Sequence, residues 1–292
     1  MSSDPRLLQI GAYQLAALAF NVDQPGTPLI FLHGITSSIQ FWAGAPADYL
    51  KERRWYALSL PGHYPATFPA GFTPDLLTAE LIADVLIAGI RQLVGEAAPV
   101  ILIGHSTGGF AALAVAARAP DLVQGVVSVS GFAVGKWSGA LGISQGFARE
   151  GVVGRLLFHA NFHLVTLTQA IYKAVFRVYA ADVQALYSDP ALAPTLDLIY
   201  PYARRLDLDA MLAYFKQMPL IDITEWLPNV SAPTLLIAGD HDPIVSPDQS
   251  RLIARHLQLG MLVMLEGAGH LPMSERRDEY HADLARWLAQ YP

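Results

Sequence analysis

Short, uncharged apolar runs separated by glycine- and proline-rich breaks dominate this chain. Pro99-Val100-Ile101-Leu102-Ile103, Ala232-Pro233-Thr234-Leu235-Leu236-Ile237-Ala238 and Met261-Leu262-Val263-Met264-Leu265 read as strands buried on both faces. The pattern predicts strands near 7–20, 28–33, 55–60, 99–104, 124–130, 233–239 and 261–266, and helices near 74–94, 107–118, 247–257 and 275–289. Residues within 7–20 alternate as in an N-terminal hairpin strand. Strand and helix take turns, which implies an α/β fold: a mostly parallel central sheet flanked by helices. The alternation stops after Ser130. From Gly131 to about Leu227 the pattern is helical and apolar, with no clear strand. The expected organisation is a core of 1–130 and 228–292 with a helical cap or lid, 131–227, inserted at the carboxyl edge of the sheet. Gly131 and Gly135 bound the insertion at one end, Pro228 and Pro233 at the other. No internal repeat or low-complexity tract interrupts this plan.

Composition narrows the possibilities. A chain of 292 residues can bury a large core, and 53% hydrophobic against 15% charged residues excludes a disordered segment. The balance of 19 basic and 25 acidic side chains, a formal charge of −6, argues against a nucleic-acid partner. With no cysteine there is no disulfide, thiolate metal site or cysteine nucleophile. Leu7 to Phe20 is apolar but broken by Gln9, Tyr13 and Gln14, and Asp4 and Pro5 stand where a secretion signal would carry basic residues. No run reaches the ~18 apolar residues of a spanning helix. The expectation is a cytoplasmic protein without a stable membrane span.

The chemistry concentrates at Gly104-His105-Ser106-Thr107-Gly108, between a buried strand and the small-residue run that starts at Phe110. A strand-to-helix turn this sharp strains its central residue and leaves no room for side chains two positions either side, which Gly104 and Gly108 satisfy. Ser106 is then held clear of the sheet, and the Thr107 amide points where an oxyanion would form. A serine hydroxyl needs a base, and the base an orienting acid. Asp242 and His270 lie on loops after two successive later strands, at the same carboxyl edge as Ser106. Asp240 is the alternative acid.

These segments resemble the α/β-hydrolase fold over nearly the whole chain. The matching pieces are His33-Gly34-Ile35, Ser59-Leu60-Pro61-Gly62-His63, Gly104-His105-Ser106-Thr107-Gly108-Gly109, Gly239-Asp240-His241-Asp242 and Gly269-His270. The resemblance implies a serine esterase or lipase-like enzyme with Ser106 as nucleophile, His270 as base and Asp242 as acid. It makes His33-Gly34 the oxyanion loop, with the Ile35 amide facing that of Thr107. Ser59 stands where relatives often carry Asp, and Tyr64 where they carry a small residue; these change the loop and not the triad.

The insertion carries the substrate information. Leu156, Leu157, Phe158, Phe162, Leu164, Val165, Leu167, Ile171, Tyr172, Val175 and Phe176 are dense and mostly large, and most are expected to pack the lid onto the core. Its cations are scattered except for Arg204-Arg205, read as a solvated helix face. His159 and His163, at i and i+4, have no acidic residue nearby in sequence to complete a metal site, and no metal or other cofactor is expected. His105 is expected to support the site with its side chain turned away from Ser106, and His33 to order the oxyanion loop. The reading is a hydrolase that cleaves a carboxylic ester of an apolar, uncharged small-molecule substrate through an acyl-enzyme. Rival readings are a carbon–carbon bond hydrolase, which would need a basic cluster for a carboxylated dienone; an acyltransferase or perhydrolase; and a non-catalytic binding protein, against which the complete Ser106, Asp242 and His270 argue.

Overall fold

Apolar runs become the strands of a single sheet. β1 (Arg6–Ile10), β2 (Tyr13–Phe20), β3 (Leu29–Leu32), β4 (Trp55–Leu58), β5 (Val100–His105), β6 (Val123–Val129), β7 (Thr234–Gly239) and β8 (Gly260–Leu265) lie in the order β1-β2-β4-β3-β5-β6-β7-β8. The computed structural model describes residues 4–44, 47–96 and 98–291. β1 pairs antiparallel with β2, and β2 with β4; every later pairing is parallel. β3, β4, β5 and β7 are buried at every residue, as parallel strands covered on both faces must be. The stretch predicted as 7–20 is the β1–β2 hairpin.

Helices cover both faces. On one side α1 (Ala79–Val94) and α2 (Thr107–Arg118) bring Ile82, Leu86, Phe110 and Leu113 into the larger core. α1 starts five residues later than the periodicity predicts. Pro74–Leu76 forms a separate 3-10 turn, and the Thr78 hydroxyl then caps α1 by accepting the Leu81 amide.

Between β6 and β7 the chain runs through α3 (Gly139–Arg149), α4 (Gly151–Val165), α5 (Gln169–Val175), α6 (Val183–Ser188), α7 (Leu192–Ala203) and α8 (Leu208–Gln217). The two ends of this excursion meet in a short antiparallel neck. The Gly135 amide donates to Ile221 and the Ile223 amide to Ala133, around a bridge of Val134 with Asp222. Trp137, Phe158 and Phe215 bind the excursion into the larger core, while Tyr172, Leu186, Leu196 and Ile199 form a cluster of their own. Not every apolar side chain expected to pack does so: Leu156, Leu157, Leu164 and Leu167 are exposed. α4 carries large apolar residues on more than one face, and only one face can point inward.

After β7 come α9 (Pro247–His256), α10 (Pro272–Glu275) and α11 (Arg277–Leu288). α9 joins the larger core through Ile253, and α11 covers the opposite face with Leu284 and Trp287. The helix predicted over 275–289 is interrupted at Arg276 (φ −135°). Its first residue, Glu275, is buried and engaged by backbone amides outside the helix.

Candidate active site

Ser106 stands between β5 and α2 with φ +54° and ψ −117°, a backbone state that costs a non-glycine residue of order 1–3 kcal/mol. Its flanking glycines allow the turn. A Cβ on Gly104 would lie 2.1 Å from the Gly108 carbonyl oxygen, and one on Gly108 would lie 2.4 Å from that of Leu32. Residues 107–116 of α2 are buried, so the turn cannot relax by shifting the helix.

Three side chains from three loops meet there. Ser106 Oγ lies 3.0 Å from His270 Nε2, and His270 Nδ1 donates to Asp242 Oδ2 at 2.7 Å. The His270 and Asp242 side chains are each 2% exposed. The other Asp242 oxygen accepts the Ile244 and Val245 amides at 2.8 and 2.9 Å, which fixes the carboxylate. Asp240 is turned elsewhere: its Oδ1 faces His241 Nδ1 and the Gly267 amide, both at 2.7 Å. A hydroxyl, an imidazole and a carboxylate in line can move a proton off the hydroxyl and hold the resulting positive ring.

The Ile35 and Thr107 amides make no hydrogen bond among the described residues. Backbone amides left unspent in this way are the kind of donor a developing oxyanion requires. The loop bearing Ile35 is held by imidazoles. His33 Nδ1 donates to the Gly34 carbonyl at 2.8 Å and its Nε2 accepts the Leu60 amide. His63 Nε2 accepts the amide of Thr36, whose φ is +59°. Burial pulls His33 down to about 4 and His63 well below its ordinary range, so both rings stay neutral, as these bonding patterns need. His105 is likewise drawn down to about 3, by burial first and then by the charge of His270. Its Nε2 donates to the His270 carbonyl at 2.9 Å while its ring stacks on Phe41.

His270 sits on a loop tied down from several sides. The His270 amide donates to the Tyr179 carbonyl at 2.8 Å. Glu275 accepts the amides of Gly269 and Leu271, either side of His270, together with those of Ala181 and Asp182. A Cβ on Gly269 would lie 2.4 Å from the Ala181 nitrogen. Sequence reasoning missed Glu275, Tyr179 and the bonding of His63. Glu275 and Ala181 are 94 positions apart, and no local pattern marks such a pair.

A cavity of about 350 Å³ opens above Ser106 and His270. Leu141, Phe147, Phe162, Val165, Phe176 and Tyr179 are among the apolar and aromatic residues of its wall, with Thr36, Ser37, Ser144, Asn161 and Thr166 among its polar points. No Asp, Glu, Lys or Arg is among the described residues that line it. Of the variant loop positions, Ser59 Oγ accepts the Ala16 amide at 2.8 Å, and the Tyr64 ring carries the Arg205 guanidinium 4.8 Å from its centre. Arg205 is thus partly engaged on an aromatic face. His159 does have an acidic neighbour in space, Asp209 at 3.4 Å, but both oxygens of Asp209 are taken by Arg155. Among the described residues no group of three or more His, Asp or Glu side chains is placed to hold a metal ion, and no helix is long and apolar enough to cross a membrane.

Comparison with known proteins agrees with this architecture. The chain is 26% identical over 276 residues to RutD of Stutzerimonas stutzeri, provisionally named a carbamate hydrolase, with 91% of this chain and 94% of that protein covered. It is 27% identical over 228 residues to the pimeloyl-acyl-carrier-protein methyl ester esterase of Neisseria meningitidis, covering 77% of this chain and 79% of that one. Among solved structures, the enol-lactonase of Burkholderia xenovorans LB400 superposes with a TM-score of 0.74 at 20% identity, over 97% of this chain and 100% of that one. Residues 29–283 match the alpha/beta hydrolase family, and the chain belongs to it.

Proposed function

We propose that this hydrolase cleaves a carboxylic ester whose acyl part is apolar and uncharged, by way of an acyl-enzyme on Ser106. The observation that carries the reading is the hydrogen-bonded line Ser106, His270, Asp242 at the floor of a cavity whose described lining bears no Asp, Glu, Lys or Arg. As Ser106 Oγ bonds to the ester carbonyl carbon, His270 Nε2 takes the hydroxyl proton. The carbonyl oxygen becomes an anion that the Ile35 and Thr107 amides receive. The carbon–oxygen bond to the alcohol then breaks, and His270 returns the proton to the departing oxygen. Water repeats the sequence, losing its proton to His270 and freeing the acid. Asp242 holds the ring in the tautomer with Nδ1 protonated and stabilises its transient charge.

Residues 131–227 serve in this reading as the cap that shapes the acyl site, since α3, α4 and α5 supply Leu141, Phe147, Phe162, Val165 and Tyr172 to its wall. A carboxylated dienone, the substrate type of a carbon–carbon hydrolase, would meet no cation there. The relatives named for ester cleavage support the same class of bond. Turnover of a panel of nitrophenyl esters from acetate to octanoate tests the reading. Activity that rises with chain length supports it; activity on a dienone with none on any ester replaces it.

A further inference from the structure

α4 is an unusual surface helix. Val152, Val153, Leu156 and Leu164 are 78%, 68%, 66% and 59% exposed, and Leu167 just beyond its end is 65% exposed. Gly154 and Phe158 are its buried positions, so the helix already spends one apolar face on the core and turns a second one outward. A helix that turns large apolar side chains outward as well as inward asks for a second apolar surface, and exposed apolar side chains gathered on one helix face mark an interaction site.

Three features narrow the occupant. The face is nearly devoid of free hydrogen-bonding groups: from Val152 to Leu167 the exposed polar side chains are Arg155, already spent on Asp209, and His163. A folded partner would ask for a polar rim and roughly one hydrogen bond per 100–200 Å²; hydrocarbon asks for none. The stretch from Gly151 to Ala181 contains Arg155, Lys173 and Arg177 and no Asp or Glu, in a chain whose formal charge is −6. Arg155 and Lys173 are paired with Asp209 and Asp197, whereas Arg177 is exposed with no ion pair among the described residues. Finally, α4 itself reaches the cavity, which Asn161, Phe162 and Val165 help to line. Ile143 and Val178, 61% and 39% exposed, belong at once to the surface and to the cavity lining.

We propose that the outer face of α4 and the segment following it dock in the plane of a lipid bilayer surface, preferring one with anionic headgroups, and set the cavity mouth against the acyl region. At 15 residues α4 is too short to span, so it would lie along the interface. An ester dissolved in the bilayer then reaches Ser106 without crossing water. The surface stands apart from the ester reading, which it deepens only in naming where the substrate is met.

Co-sedimentation with vesicles of phosphatidylcholine, with and without about 30% phosphatidylglycerol, tests the proposal without using turnover. The expected result is binding to both, tighter on the anionic vesicles. The double variant Leu156→Glu/Leu164→Glu, at positions outside the cavity lining, should partition at least about tenfold more weakly. It should keep its kcat/KM on a water-soluble butyrate ester, which shows that it is folded. Val153→Asp should act in the same direction to a lesser degree. Failure of the wild-type chain to bind either vesicle overturns the proposal, as does equal binding by the double variant. A wild-type dimer that the double variant dissociates would also overturn it, by assigning the face to a second copy. Loss of ester turnover with vesicle binding intact would strike the proposed function and leave the surface standing.

Discussion

The buried carboxylate of Glu275 accepts the amide of Gly269 at 3.0 Å, one residue before His270. The same carboxylate takes the Leu271 amide on the far side, and Ala181 and Asp182 from the insertion. The position of the imidazole above Ser106 is therefore set partly by a residue that touches neither. Removing the acceptor leaves four amides unpaired, each costing about 1–3 kcal/mol if it stays buried. Glu275→Ala should lower Tm and reduce kcat much more than it raises KM. Glu275→Gln, which keeps an acceptor oxygen, should restore most of the rate. Equal kcat for the wild-type and Glu275→Ala chains would show that the loop holds itself.

Asp242 and Asp240 are two residues apart but only Asp242 faces the imidazole. Asp242→Asn offers His270 Nδ1 an amide in place of a carboxylate and favours the wrong tautomer; loss of about 10⁴-fold in kcat is the expected scale. Asp240→Asn should stay within a few-fold. The ratio of the two kcat/KM values checks the assignment, and the reverse order would move the acid.

The cavity of about 350 Å³ is walled by Leu141, Phe147, Phe162 and Val165. Each methylene buried there contributes up to ~0.8 kcal/mol, about fourfold in kcat/KM, until the space is full. Butyrate to octanoate esters should outperform acetate, and esters with a charged acyl chain should be poor. A preference for acetate, measured on matched nitrophenyl esters, would mean that the acyl chain does not enter this cavity.

Buried neutral histidines give stability a defined pH dependence. His33 and His105 titrate near 4 and 3 in the folded chain, and His63 well below its ordinary value, against about 6.5 unfolded. The unfolded state therefore binds more protons as the pH falls below about 6.5, and the stabilisation present above that pH is lost progressively down towards about 3. Denaturant midpoints at several pH values should fall over that window, with an uptake of up to about three protons on unfolding from these rings. His105→Gln should flatten the slope. A flat profile between pH 7 and 5 would contradict the burial of these rings.

The sheet was readable in the sequence because its strands are continuous apolar runs with glycine-rich ends, and Gly104 and Gly108 announce the elbow because they stand between a buried strand and a helix. Helix boundaries were less so. Thr78 and Glu275 each look like ordinary residues of an amphipathic helix, yet one caps α1 and the other breaks the last helix through partners far along the chain. The outward face of α4 was unreadable for a different reason. When large apolar residues stand on both the inner and the outer face of a helix, periodicity cannot say which face the core takes, so Leu156 and Leu164 read as packing residues.

The central claim is that Ser106 is the nucleophile, and covalent capture tests it most directly. A fluorophosphonate probe incubated with the native chain, followed by peptide mass mapping, should place a single adduct on Ser106. Ser106→Ala should take no label, keep its fold and lose about 10³-fold or more in turnover. An adduct on another residue, or full esterase activity in the Ser106→Ala chain, would contradict the account.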